Sequence, residues 1–249
     1  MLEIIKKTKR MMFLALAMLC FTTSDAETSE IQTGNAPSNV EAVDLGLPSG
    51  ILWANMNIGA NKPSDHGLYF AWGETTGYKE SNPQNRKFNE YSYKWFDSSS
   101  ETIIKYCKDD YLGNVDNKTT LELEDDAAHV NWGGDWVMPT IVEIEELFDN
   151  TTHEWTQMNG INGYKFVSKT NGNSIFLPAT GCFWGGVKVS EQNKIFKGYY
   201  WSASLQNPKA TYKNNSLGGQ DLEFVDDAQN TRKSQKRWYG FAIRPIIRK

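Results

Sequence analysis

The chain has 249 residues with 26 Lys+Arg against 30 Asp+Glu, 39% hydrophobic and 22% charged residues, which is the profile of a folded globular protein. Collagen, coiled-coil and low-complexity architectures are excluded, and a net charge of −4 argues against a nucleic-acid partner. Nine Trp, eleven Tyr and twelve Phe favour a β-rich core or a stacking surface over a helical bundle.

The N-terminus reads as an export signal. Lys6, Lys7, Lys9 and Arg10 precede an apolar run from Met11 to Phe21 that is too short to span a bilayer, and Ser24 and Ala26 supply the small residues of a cleavage site. Residues 1–26 are therefore expected to be a signal peptide, with the protein at the cell surface, in the periplasm or secreted. A competing reading takes Cys20 as a lipidated cysteine, the one case in which a membrane enters. Residues 27–42 are polar, contain Gly, Pro and Ser, and read as a tether; residues 43–249 then form a single domain.

With Cys20 removed or acylated, Cys107 and Cys182 remain, either as a disulfide permitted by export or as two buried thiols. No CxxC occurs, and His66, His129 and His153 are far apart, so a Cys/His zinc site has no support.

In chain order, Ile51 to Gly59 alternates as a half-buried strand, with Leu68 to Trp72 a second apolar one. Gly73 to Lys108 lacks periodicity and reads as a long surface loop whose Tyr91, Tyr93 and Trp95 cover the core. Leu121 to Val130 predicts a helix, with Glu124, Asp125 and Asp126 favoured by the helix dipole. Thr140 to Phe148 predicts a stronger one: Thr140 and Glu143 form a capping box, Ile141, Ile144, Leu147 and Phe148 share a face, and Glu143, Glu145 and Glu146 are solvated. Strands are expected at Tyr164 to Val167, Ser174 to Leu177, Tyr199 to Ser204 and Tyr239 to Ile246. Helices followed by strands argue for an α+β fold with antiparallel sheet.

Several clusters carry potential chemistry. Trp132 to Trp136, with Gly133 and Gly134 between the indoles, reads as a core connection rather than a recognition turn. Trp184, Tyr199 and Trp201 are candidate ligand-stacking residues, with Tyr212, Asn214 and Asn215 in an adjacent loop and Arg237 and Trp238 in the one basic cluster. Asp221, Glu223, Asp226 and Asp227 offer four carboxylates to a calcium ion, although they match no EF-hand loop and read first as a solvated acidic loop. No GxSxG, Walker A, GxGxxG or HExxH string occurs, so no catalytic residue is assigned.

The segments Ala42 to Ala60 (AVDLGLPSGILWANMNIGA), Gly67 to Thr75 (GLYFAWGET), Leu121 to Thr140 (LELEDDAAHVNWGGDWVMPT), Asn162 to Gly181 (NGYKFVSKTNGNSIFLPATG), Gly198 to Ser204 (GYYWSAS) and Gly240 to Ile246 (GFAIRPI) together resemble secreted Bacteroidetes-type proteins with a Fibrobacter succinogenes major paralogous domain. The resemblance covers nearly all of residues 42–246. It implies a C-type-lectin-like fold, two helices on short antiparallel sheets with long loops, of the branch that includes formylglycine-generating enzymes and retroelement variable proteins. The paired reactive cysteines of those enzymes and the calcium-ligand motifs of sugar-binding C-type lectins have no counterpart here. The expected function is a noncatalytic module recognising an extracellular protein or glycan through its aromatic, loop-rich C-terminal half. A structural envelope or fimbria-associated component is the alternative, and a thiol-dependent enzyme on the same scaffold is a third.

Overall fold

The computed structural model describes residues 31–81, 87–189, 191–192, 195–206, 218–225 and 231–249. Residues 31–249 cluster as one compact unit. Its first strands are β1 (Ala42–Asp44), β2 (Leu52–Ala54), β3 (Leu68–Tyr69), β4 (Tyr78–Lys79), β5 (Phe96–Asp97) and β6 (Thr102–Ile103). Helix α1 (Ala127–Trp132), strand β7 (Trp136–Val137) and helix α2 (Ile141–Asn150) follow. The remainder is strand: β8 (Thr151–Met158), β9 (Ile161–Ser168), β10 (Ser174–Pro178), β11 (Cys182–Trp184), β12 (Val187–Val189), β13 (Glu191–Gln192), β14 (Ile195–Leu205), β15 (Gly218–Val225), β16 (Thr231–Lys236) and β17 (Ile246–Ile247).

The pairings are antiparallel and form small sheets in an α+β arrangement. A four-stranded sheet in the order β1-β2-β17-β7 brings the N-terminal and C-terminal strands together, a second runs β13-β14-β15-β16, and a three-stranded sheet runs β10-β9-β8. Two-stranded pairs β3–β4, β5–β6 and β11–β12 complete them.

The expected half-buried strand from Ile51 to Gly59 is shorter and differently buried. Ile51, Leu52, Trp53 and Ala54 are all buried because β2 lies inside its sheet with apolar residues on both faces, and the chain leaves the strand at Asn55. Asn57 is buried too, where its amide reaches the His66 carbonyl (2.9 Å). The expected tether also ends earlier than Ala42. Gln32 exchanges hydrogen bonds with Asp135 (both 2.7 Å), Asn35 N–H donates to the Trp132 carbonyl (2.5 Å), and Ala36 and Val40 pack on the core. Gly133 and Gly134, both at positive φ (67° and 57°), make room for that strap.

The two predicted helices exist. α1 starts later than Leu121, after a 3-10 turn at Leu123–Asp125, because Asp126 is its N-cap and accepts from Ala128 (2.8 Å) and His129 (3.0 Å). The same carboxylate takes the Met138 N–H (2.8 Å), so Asp126 is a buried tie rather than a solvated first-turn acid. α2 carries the predicted Thr140/Glu143 capping box. Glu143 is not solvated, however: Arg248 grips it at 2.6 and 2.8 Å, and Glu146 receives the Ser49 N–H and hydroxyl.

Strand β8 is absent from the sequence reading because TTHEWTQM carries few apolar residues. Its signal is the following Asn159–Gly160 pair, a two-residue hairpin turn with both φ positive (52° and 78°) that fixes the register Met158↔Ile161. The expected surface loop from Gly73 to Lys108 instead builds a third core cluster around Phe88, Tyr93, Ile103 and Cys107.

Arg244 is one of two arginines buried in the core among the described residues. It is 1% exposed and donates from Nε to Asn57 Oδ1 (2.8 Å), from one terminal nitrogen to the Ala54 carbonyl (3.1 Å), and from the other to the Phe176 carbonyl (2.8 Å). Burial lowers its pKa to about 10, which still leaves it charged at neutral pH. Arg244→Ala strands three buried acceptors, each costing about 1–3 kcal/mol, so urea unfolding should show a loss of about 3 kcal/mol or more. Arg244→Lys, unable to reproduce the planar fork, should recover only part of it.

Candidate functional site

Strands β11 and β12 form a two-residue hairpin that sets Trp184 opposite Val187 across Gly185 and Gly186, whose φ values are 58° and 84°. Trp184 is 60% exposed and Val187 64% exposed. Its neighbour Phe183 points the other way and is fully buried, stacked on Phe88 (centroids 5.5 Å apart) and edge-on to Tyr69 (4.8 Å). Reciprocal hydrogen bonds between Phe183 and Gly240 (2.9 and 3.0 Å) pin the hairpin to the domain. The tip is thus an apolar display on an anchored base.

An aromatic strip leads from the tip toward the core. Trp184 lies 5.9 Å from Tyr239, Tyr239 6.3 Å from Phe241, and Phe241 4.9 Å from Tyr199. Burial pushes the Tyr199 phenol up, and the Glu223 and Cys182 side chains push it further, so it is a neutral hydroxyl at physiological pH. Glu223, its cross-strand neighbour, pairs with Lys197 at 3.2 Å. Of the expected ligand residues, Trp184 and Tyr199 therefore share one strip, and Tyr239 joins it without having been singled out.

The other expected contacts lie elsewhere. Trp201 is fully buried, stacked on Phe241 (4.2 Å) with its indole N–H donated to the Phe70 carbonyl (2.8 Å), because β14 turns the Tyr199/Trp201 face inward as it crosses the sheet. Arg237 is buried with its guanidinium 5.4 Å from the Trp72 ring and near the Lys105 carbonyl (3.5 Å); Trp238 packs in the third core cluster beside Tyr93. An arginine in a basic run looks solvated in sequence, yet the turn after β16 buries Arg237 and Trp238 in succession. Tyr212, Asn214 and Asn215 lie outside the described residues, as do Cys20, Asp226 and Asp227.

The expected acidic loop is partly strand. Asp221 and Glu223 sit on β15, 0% and 4% exposed, across from Trp201 and Tyr199. Solvation is not their role, and Glu223 is already committed to Lys197. The closest-set carboxylates among the described residues are instead Glu122, Glu124 and Asp125, whose oxygens lie within 4.8 Å of one another. That space holds the Lys105 ammonium, at 2.8, 2.7 and 2.5 Å from the three carboxylates. Although burial opposes its charge, the three carboxylates hold the Lys105 pKa above its ordinary value. The trio is an internally neutralised ion cluster, and Asp125 also takes the Tyr106 hydroxyl (2.7 Å) and Lys94 (3.1 Å).

A polar cleft of about 630 Å³ opens among Asn61, Asp65, His66, Glu80 and Asn159. Glu80 is bridged there by His66 (3.1 Å) and Lys188. Burial, followed by the Lys188 charge, lowers the His66 pKa. Among the described residues no Phe, Tyr or Trp lines this cleft.

Both remaining cysteines are buried free thiols in different core clusters. Burial, with Glu223 next in effect, pushes Cys182 up to about 12, the opposite of an activated nucleophile. Compared with protein-family models, curated proteins and solved structures, the chain shows no match. Among the described residues, no helix is long and apolar enough to cross a membrane. With the Cys182 thiol this far above its unfolded pKa of about 8.5, alkylation by iodoacetamide at pH 8 should run at least about a hundredfold slower in the native protein than in urea. Peptide mass spectrometry with time reads this directly, and rapid native labelling would contradict the buried-thiol assignment.

Proposed function

We propose that this chain is an exported, noncatalytic binding module on a C-type-lectin-like scaffold, as its resemblance to proteins with a Fibrobacter succinogenes major paralogous domain implies. Its ligand class is an extracellular protein or glycan. The observation that carries this reading is the β11–β12 hairpin tip, where Trp184 and Val187 stand exposed side by side while the adjacent Phe183 anchors them to the core. A Trp ring offers large apolar area with only two side-chain torsions to order on binding, which is the property of residues that dominate interfaces.

Trp184 offers a ring face to a sugar or to an apolar side chain, and the neutral phenols of Tyr239 and Tyr199 continue the strip behind it. Of the two thiols open to the enzyme alternative, Cys182 is protonated and both it and Cys107 are buried, which weighs against that reading.

A glycan-array and surface-protein screen, run with calcium and again with chelator, tests the assignment. For any saturable ligand, the double substitution Trp184→Ala with Val187→Ser should weaken binding by about thirtyfold or more while circular dichroism and Tm stay near the parent values. Trp201→Ala should instead destabilise the fold by about 3–5 kcal/mol. No ligand in either screen, or full affinity in the double variant, would reject the hairpin as the recognition element and favour a structural envelope role.

A further inference from the structure

The three-stranded sheet β10-β9-β8 has one closed edge and one open edge. At the β10 edge, the Phe176 carbonyl accepts from Arg244 (2.8 Å) and the Pro178 carbonyl from the Tyr200 hydroxyl (2.7 Å). At the other edge the backbone bonding can be followed residue by residue. Ser168 N–H donates to Asn173 (2.8 Å) and Asn162 C=O accepts from Ala179 (2.7 Å), so the even-numbered residues of β9 turn their backbone groups toward β10. On the near side, Lys169 N–H donates to Asn150 (3.2 Å). Given the register Thr151↔Ser168 through Met158↔Ile161, Thr152, Glu154 and Thr156 bond to β9, and the N–H and C=O groups of His153, Trp155 and Gln157 point away from the sheet. Among the described residues, nothing takes those groups up.

Natural edge strands are normally blunted by proline, lysine, a bulge or a covering segment. β8 has none of the first three: its eight residues pair with β9 without a register break, and Glu154 is its one carboxylate or ammonium. We propose that β8 is a self-association edge, at which two copies of this chain pair antiparallel about a two-fold axis through Trp155 and extend the sheet across the dimer.

Charge selects that register. An axis through Glu154 would set this carboxylate directly against its own copy, a destabilising like-charge pair. Shifting the axis to Trp155 places Glu154 of one copy opposite Thr156 of the other, Thr152 opposite Met158, His153 opposite Gln157, and the two Trp155 backbones opposite each other. The outward residues then meet outward residues, so each exchanges paired N–H···O=C bonds with its counterpart. The Trp155 indole, already edge-on to Tyr164 (5.5 Å), brings aromatic surface to the seam. Because β10 is closed, this sheet accepts one neighbour only, and the pairing ends at a dimer.

Sedimentation velocity of the full chain over a concentration series should show reversible dimer formation. Thr156→Glu restores a like-charge pair opposite Glu154 and should weaken association by at least about tenfold, whereas Thr156→Lys creates an opposite-charge pair and should strengthen it. In hydrogen exchange, the amides of His153, Trp155 and Gln157 should slow as concentration rises, with Thr152 and Glu154 unchanged because they are bonded within the monomer. A strictly monomeric parent chain, equal behaviour of the two Thr156 variants, or concentration-independent exchange at the three outward amides would overturn the proposal.

Discussion

The buried guanidinium of Arg244 is the constraint on which the arrangement of the sheets depends. It lies just before β17, yet its three acceptors come from the end of β2, from Asn57 beyond it, and from β10. None of them is charged, so the cost of burying a cation is offset by hydrogen bonds to dipoles fixed by backbone geometry. Tyr200 extends the network, since its hydroxyl receives the Asn57 amide (3.4 Å) and donates to Pro178 (2.7 Å). One planar fork thereby holds the β1-β2-β17-β7 sheet against β10 and uses up carbonyls along one border of the β10-β9-β8 sheet. The opposite border, β8, is left with three outward residues that have no such attachment among the described residues.

The same rigidity governs which aromatics reach the surface. Along β14, Tyr200 faces the cluster that contains Leu222 and Phe224, while Tyr199 and Trp201 face the cluster that contains Trp72 and Phe241. Trp201 falls at the centre of its cluster and Tyr199 near the rim, so the two residues have different roles despite identical strand parity. The hairpin carries the rim outward, because Phe183 and Gly240 fix its base while Trp184 and Val187 stay exposed at its tip. The exposed ring area of Trp184 is therefore set by the core packing of Phe183, one residue away.

What could be read in the sequence follows the range of the interactions involved. The capping box at Thr140 and Glu143 is local, and the helix it predicts is present. Strands β9, β10 and β14 are apolar enough to be read directly, although β9 and β14 run longer than their apolar stretches because the pairing of neighbours carries polar residues along. β8 and β15 were hidden for the same reason: TTHEWTQM and the acid-bearing GGQDLEFV are strands through their partners more than through their own composition. The candidate site was legible at Trp184 and Tyr199, where aromatic residues flank turn signals. It was not legible at Trp201, Arg237 and Trp238, whose inward orientation is decided by distant segments that cover them.

Charged residues show most clearly how three-dimensional pairing revises a linear reading. Glu143, Glu223, Asp125 and Lys105 each belong to runs that look solvated, yet each is committed to a partner from another part of the chain. The Lys105 cluster places an ammonium where three carboxylates converge, so the feature most similar to a cation site is satisfied by the protein's own side chain. Such pairs add little net stability, but removing one member leaves the other uncompensated. With these charges engaged internally, ionic contacts are a poor basis for recognition by this face. Among the described residues, the apolar hairpin tip and the unpaired strand edge differ in kind: the first offers side-chain surface, the second backbone hydrogen-bonding groups.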